Sequence, residues 1–185
     1  MAHGFFSGNP KTEWLINAAG KDRDMLLLED FWFKDPGGKL WSAPAGSIVN
    51  GASIPEFLWS TVGSPYTDDY RRASIVHDVA CDDPTVIRHE ADRMFYYACL
   101  AGGCKLKQAR LLYAGVRLGA WSVQVFPTTL KLREGMMRRA EVASPVAEEI
   151  FLRSKLSAIA QDFQQLDDED DVRALDAVIE QHINI

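Results

Sequence analysis

The sequence predicts an α+β fold: a small N-terminal antiparallel β-hairpin unit packed on a mainly helical domain, with a C-terminal helical arm. Three observations carry this. Two runs rich in aromatic and aliphatic residues, MLLLEDFWF and GKLWSA, fall within residues 22–53 and are separated by Asp35-Pro36-Gly37-Gly38. From Pro55 to about residue 124 apolar residues recur at helical spacing. Beyond Pro127 the chain turns more polar but keeps two helical stretches. At 185 residues this gives one domain over 1–127 and a helical extension over 128–185.

Taken in order, the N-terminus around His3 reads as loose. The Asp-Pro-Gly-Gly turn then joins two strands into a hairpin, and Pro44-Ala45-Gly46 breaks the second arm before SIVNGASIP. Asn50-Gly51 within that string is a tight-turn dipeptide. Pro55 suits the first turn of a short helix carrying Phe57, Leu58 and Trp59, which Gly63-Ser64-Pro65 ends. Thr67 is positioned to cap a second helix, with Asp68 and Asp69 in its first turn and a buried stripe of Ala73, Val76 and Ala80. Asp83-Pro84 reads as the N-cap and first turn of the next helix, which stops at Gly102-Gly103. Leu106, Ala109, Leu112 and Val116 mark a further helix ending before Pro127. The extension predicts helices from about Ala143 to Leu166 and from about Asp171 to His182, flanking the acidic run Asp167–Asp171. That run lacks the alternating ligands and central glycine of an EF-hand, so it reads as solvated linker and helix cap.

Composition excludes some functions. Apolar residues make up 47% and charged residues 25%, as in soluble globular proteins. A formal charge of −6 offers no basic field to a phosphate backbone, which makes nucleic acid a poor partner, and Arg138-Arg139 reads as a solvated pair. No run approaches the ~18 apolar residues of a membrane span, and the N-terminus does not read as a signal peptide. Cys81, Cys99 and Cys104 form neither a CxxC pair nor an even disulfide set. A cytoplasmic location, in a bacterium or a phage-infected cell, is the expectation, with association to a virion as the variant.

The chemistry-bearing feature is His77-Asp78. Neighbouring helix positions differ by about 100°, so the two cannot share one narrow face and need partners from elsewhere. Folding the two central helices into an antiparallel hairpin pairs His77 with about Arg88 and brings His89 and Asp92 within one helical turn of that level. Three readings follow. His77 with carboxylates, and with Asp78 and His89 as candidate ligands, could hold a divalent ion that activates water, without distinguishing calcium, zinc or magnesium. Alternatively His77 is a general base oriented by Asp92, with Asp78 binding an ion or polarising a substrate. Or His77 and Asp92 form a buried hydrogen-bonded pair that fixes helix register, with Arg88 closing an i, i+4 ion pair to Asp92. Cys81, at i+4 from His77, reads as a small core residue rather than a nucleophile. Asn50 and Ser53 sit in a turn able to bind a substrate anion or oxyanion, and equally able to serve only as turn and cap.

The order of motifs in SPYTDDYRRASIVHD and ADRMF resembles the site of phospholipase A2, in which an HD dipeptide on one helix meets an aspartate on an antiparallel helix. That resemblance implies His77 as base, Asp78 as a calcium ligand and Asp92 as the orienting group. It does not extend to a Gly-rich calcium loop or to the cysteine pairing. The phosphohydrolases named for their HD dipeptide need an upstream metal-binding histidine, for which the chain offers only His3.

Over a longer span, GASIPEFLWS, SPYTDDYRRASIVHD, DRMFYYACLAGG and ARLLYAGVRLG together resemble the domain-of-unknown-function family 1353, from near Thr12 to about Trp121. The resemblance implies a small α+β domain of phage or prophage origin with no established activity. The chain departs from the family's usual pattern at Asn50, where an aspartate usually precedes GAS, and at Cys81, where an aromatic residue often follows the HD pair. Two function classes result: a hydrolase built on His77, Asp78 and Asp92, or a non-enzymatic phage accessory, virion-assembly or host-directed binding protein that docks another protein through its C-terminal helices. An accessible His77 within reach of Asp92 favours the first, and a sealed His77 opposes it.

Overall fold

The computed structural model describes residues 3–16, 24–51, 54–55, 58, 69–126, 145–167 and 171–183. Its strands are β1 (Phe5–Phe6), β2 (Thr12–Trp14), β3 (Met25–Leu27), β4 (Phe31–Lys34), β5 (Leu40–Ala43) and β6 (Ile48–Val49). They form two three-stranded antiparallel sheets, in the orders β1-β4-β5 and β2-β3-β6.

The predicted hairpin is β4–β5. Phe31 pairs with Ala43 and Phe33 with Trp41, placing Phe31, Phe33, Trp41 and Ala43 on the buried face. Asp35 organises its turn, accepting the Lys39 amide at 2.9 Å on one oxygen and the Trp41 indole N–H at 2.9 Å on the other. Gly38, at φ +88°, takes the left-handed position that such a turn requires.

The run MLLLEDFWF is not one strand, however. It breaks at Glu29-Asp30, where Asp30 turns aside to accept the Ala45 amide at 2.8 Å, so its first half joins one sheet and its second half the other. The N-terminus is not loose either: β1 pairs with β4, and β2 pairs with β3 in the register Thr12 to Leu27 and Trp14 to Met25. Strands this short cannot assert a two-residue period, so the sequence alone gives no sign of them.

The helices are α1 (Arg71–Asp82), α2 (Arg88–Gly102), α3 (Leu106–Val125), α4 (Pro145–Asp162) and α5 (Val172–Ile183), with a 3₁₀ turn at Phe163–Gln165. The predicted stripe of Ala73, Val76 and Ala80 is buried, as are Ala109, Leu112 and Val116 of α3. Asp69 lies in the turn before α1 rather than in its first helical turn, and Thr67, Asp68, Phe57 and Trp59 fall outside the described residues.

Helix α2 starts four residues later than Asp83-Pro84 predicts. Asp83 instead accepts both the amide and the hydroxyl of Thr85, at 2.8 and 2.7 Å, closing a local side-chain turn that competes with helix initiation. The connection still spans only residues 83–87, so α1 and α2 pack side by side as a hairpin. At its far end the fit is tight. A Cβ on Gly102 would lie 2.3 Å from the Asp69 carbonyl oxygen, and Gly103 closes α2 at φ +108°.

The C-terminal helices fold back on α3. Leu156, Ile159, Phe163, Leu175, Ile179 and Ile183 join the same hydrophobic core as the strands and α1–α3. Asp171, the last residue of the acidic run, caps α5, its carboxylate accepting the Arg173 amide at 2.9 Å. Among the described residues no helix is long and apolar enough to cross a membrane.

Candidate functional site on the helix hairpin

The hairpin brings His77 and Asp92 together. His77 Nε2 lies 2.8 Å from Asp92 Oδ1, and both residues are 0% exposed. Arg88, one turn before Asp92 on α2, donates from Nε to the same oxygen at 3.0 Å, through a side chain that stays about one-third exposed (36%). The Phe95 ring packs 4.7 Å from the imidazole, and Cys81 Sγ sits 3.5 Å from Nε2 and 3.8 Å from Nδ1.

Burial lowers the His77 pKa, partly offset by the hydrogen bond and charge of Asp92. Burial alone would raise Asp92, but the His77 hydrogen bond and the neighbouring positive charge of Arg88 outweigh it and hold the carboxyl below its ordinary value. The resting arrangement is therefore an ionised Asp92 accepting from a neutral imidazole, with Nε2 carrying the proton and Arg88 supplying the counter-charge. Asp92 Oδ2 and Arg88 Nη2 are both buried without a partner. They are the remaining acceptor and donor of the two groups joined by the Nε to Oδ1 contact.

Asp78 faces elsewhere. Its Oδ2 accepts the backbone amides of Asn50 at 2.6 Å and Gly51 at 3.3 Å, tying α1 to the end of β6. Burial pushes its carboxyl up to about 7, against the pull of those two amides. The Asn50-Gly51 turn thus aims two backbone amides at the protein's own Asp78 carboxyl. This arrangement suits a calcium ligand poorly, because an ion at Oδ2 would meet two amide hydrogens. Ser53 lies outside the described residues.

His89 is not part of this cluster. It points to the C-terminal arm, where its Nε2 lies 2.8 Å from Asp176 Oδ1, while Arg93 donates from Nε to Asp176 Oδ2 at 2.7 Å and the Tyr113 hydroxyl also donates to Asp176. Mirror counting gives only the level along the hairpin. His89 follows Arg88 by about 100° of helix rotation, which carries it off the face that meets α1. The Asp176 cluster spans 87 residues of sequence, beyond the reach of any local pattern. Its trace in the sequence is an acidic residue inside the buried stripe of Val172, Leu175, Ile179 and Ile183.

Cys81 has more company than a core cysteine. One ligand atom each from His77, Cys81 and Asp92 lie within 4.8 Å of one another, a group that includes neither Asp78 nor His89. Its nitrogen, sulfur and oxygen donors match zinc and not the all-oxygen shells of calcium or magnesium. Burial pushes the Cys81 thiol up to about 12, so it is protonated until an ion displaces the proton. As arranged, the group has no path for substrate to Nε2, since a general base must touch the proton it removes and His77 is sealed.

Two uncharacterized proteins of Sinorhizobium fredii (strain NBRC 101917 / NGR234) are similar to this chain. One, y4jT, is 40% identical over 90 residues, covering 49% of this chain and 27% of that protein. The other, y4iH, is 37% identical over 102 residues, covering 55% of this chain and 43% of that protein. The chain thus spans less than half the length of each. No solved structure matches it. Residues 25–116 match the family described as "Protein of unknown function (DUF1353)". That segment contains β3 to β6, the whole α1–α2 hairpin and the His77, Asp78 and Asp92 side chains, and through it the chain belongs to the DUF1353 family.

Proposed function

We propose that this chain is a non-enzymatic binding or assembly protein of the phage-accessory kind, in which the His77–Asp92 pair locks the helix hairpin as a rigid platform. One observation carries the reading: both residues are 0% exposed, and the carboxylate already serves both His77 and Arg88. A buried ionic network of this sort specifies one register, because shifting either helix leaves a charge without its partner. The bound species meets the surface around this platform. A location in the cytoplasm or on a virion belongs to the same reading, as does docking of another protein on the outer face of the C-terminal helices, where Val146 and Ile150 are exposed.

A metal-assisted hydrolase is the second reading, favoured by the convergence of His77, Cys81 and Asp92. An ion held there would act as a Lewis acid on water or a carbonyl. The experiment that separates the two is metal content by mass spectrometry on purified wild type, His77→Ala and Cys81→Ser, each checked for folding by circular dichroism. The binding reading expects well under one equivalent of any transition metal in all three. One full equivalent of zinc in the wild type, lost in Cys81→Ser, overturns it in favour of the hydrolase.

A further inference from the structure

A well-defined cleft lies away from His77. It encloses about 660 Å³ between β2 with the segment leading into it, the start of α1 and the end of α2. That is the size of a small-molecule site. Among the described residues its wall is mostly polar and carries three cations, Lys11, Arg71 and Arg72, against one carboxylate, Asp69. In a chain of net charge −6 this is a local reversal of sign.

The three cations are not equivalent. Lys11 is already paired with Glu29 at 2.6 Å. Arg72 is held in place by donating to the Gly102 carbonyl at 3.3 Å and by lying 4.7 Å over the Phe6 ring. Arg71 is exposed and makes no ion pair among the described residues, which leaves its planar fork for an incoming anion. The α1 turn that opens on the cleft carries no acidic residue and no side-chain cap, so its dipole adds to the same preference. Trp14, 57% exposed, lines the same cleft from β2 and gives it an aromatic side chain, and Asn9 and Thr12 near it in sequence offer neutral hydrogen-bonding groups.

From this juxtaposition we infer that the cleft binds a small organic anion, a phosphate or carboxylate joined to a planar ring, with Arg71 taking the anion and Trp14 the ring. The inference rests on the binding reading above and gives it a ligand class. Nucleoside monophosphates have both parts at the right size.

The test is calorimetric titration of the full chain with three probes: adenosine monophosphate for anion and ring, adenosine for the ring alone, and inorganic phosphate for the anion alone. Binding of the monophosphate at submillimolar Kd is expected, with adenosine and phosphate each weaker by tenfold or more. Arg71→Ala and Trp14→Leu, both at exposed positions, should each weaken the monophosphate at least tenfold while leaving the circular dichroism spectrum and Tm unchanged. No heat from any probe at millimolar concentration overturns the inference, and so does an affinity unchanged in Arg71→Ala. The outcomes for the two readings are distinct. Zinc-loaded protein that still binds the monophosphate overturns the non-enzymatic reading alone, and metal-free protein that ignores all three probes overturns this one alone.

Discussion

Replacing Asp92 by alanine tests the structural role of the hairpin lock most directly. The substitution removes one oxygen that accepts from His77 at 2.8 Å and from Arg88 at 3.0 Å. Hydrogen bonds to a charged group contribute about 1.5–3 kcal/mol each. The His77 N–H, at 0% exposure, has no water to turn to and loses toward the top of that range. Arg88, about one-third exposed (36%), can swing into solvent and loses toward the bottom. The sum, about 3–5 kcal/mol, agrees with the usual cost of breaking a buried charge pair from one side, and it is a large share of the roughly 5–15 kcal/mol that holds a domain together. Asp92→Asn keeps an acceptor for the imidazole and loses only the charge, so it should cost about 1–2 kcal/mol. Urea unfolding at pH 7.5, followed by tryptophan fluorescence with the slope checked for constancy, measures both. If Asp92→Ala costs less than about 1 kcal/mol, the pair does not lock the hairpin and the argument for a platform fails.

Other outcomes follow from the same geometry. Asp78 has a folded pKa of about 7, above its ordinary 3.8, so its contribution is fully present below 3.8 and is lost as pH rises through about 7. The permanently neutral Asp78→Asn should therefore gain in urea midpoint relative to wild type between pH 5 and pH 8, and a flat or opposite difference refutes this. His77 has the reverse sign: its folded pKa is lowered below 6.5, so its contribution is complete above 6.5 and is lost as pH falls through the folded value, a slope that His77→Gln should remove. Asp176→Asn weakens the anchor for His89, Arg93 and Tyr113, and hydrogen exchange should speed up about tenfold or more in α5 while α1 keeps its protection. The Cys81 thiol, pushed up to about 12, should resist iodoacetamide at pH 8 until urea unfolds the chain, and alkylation of native protein at the rate of a free thiol would contradict its burial.

What the sequence reveals of this fold depends on the range of the interaction. The β4–β5 turn and the helix stripes are local, and Asp35-Pro36-Gly37-Gly38 or Ala73, Val76 and Ala80 carry their own signal. His77 meeting Asp92 was legible because a short connection turns sequence distance into spatial level. The start of α2 was misplaced because Asp83 caps a turn with Thr85 as readily as a helix, and side-chain geometry decides between them. The Asn50 amide reaching Asp78 spans 28 residues and involves a backbone donor, which no residue letter encodes. Strands β1 and β2 owe their existence to the partners they dock on, β4 and β3. The sealing of His77, on which the proposed reading rests, is a property of everything packed around it and so lies beyond any local reading.

The Asp176 cluster bears on how this domain can be inherited. His89, Arg93 and Tyr113 lie inside the family segment 25–116, and the carboxylate that gathers them lies 60 residues beyond its end. The segment therefore does not travel as a sealed module. Placed in another chain without this arm, it exposes His89 and Arg93 to water and leaves the buried Tyr113 hydroxyl to find an acceptor on new neighbours. Positions 113 and 176 should accordingly be gained and lost together, a pattern of joint substitution that marks which relatives carry the arm.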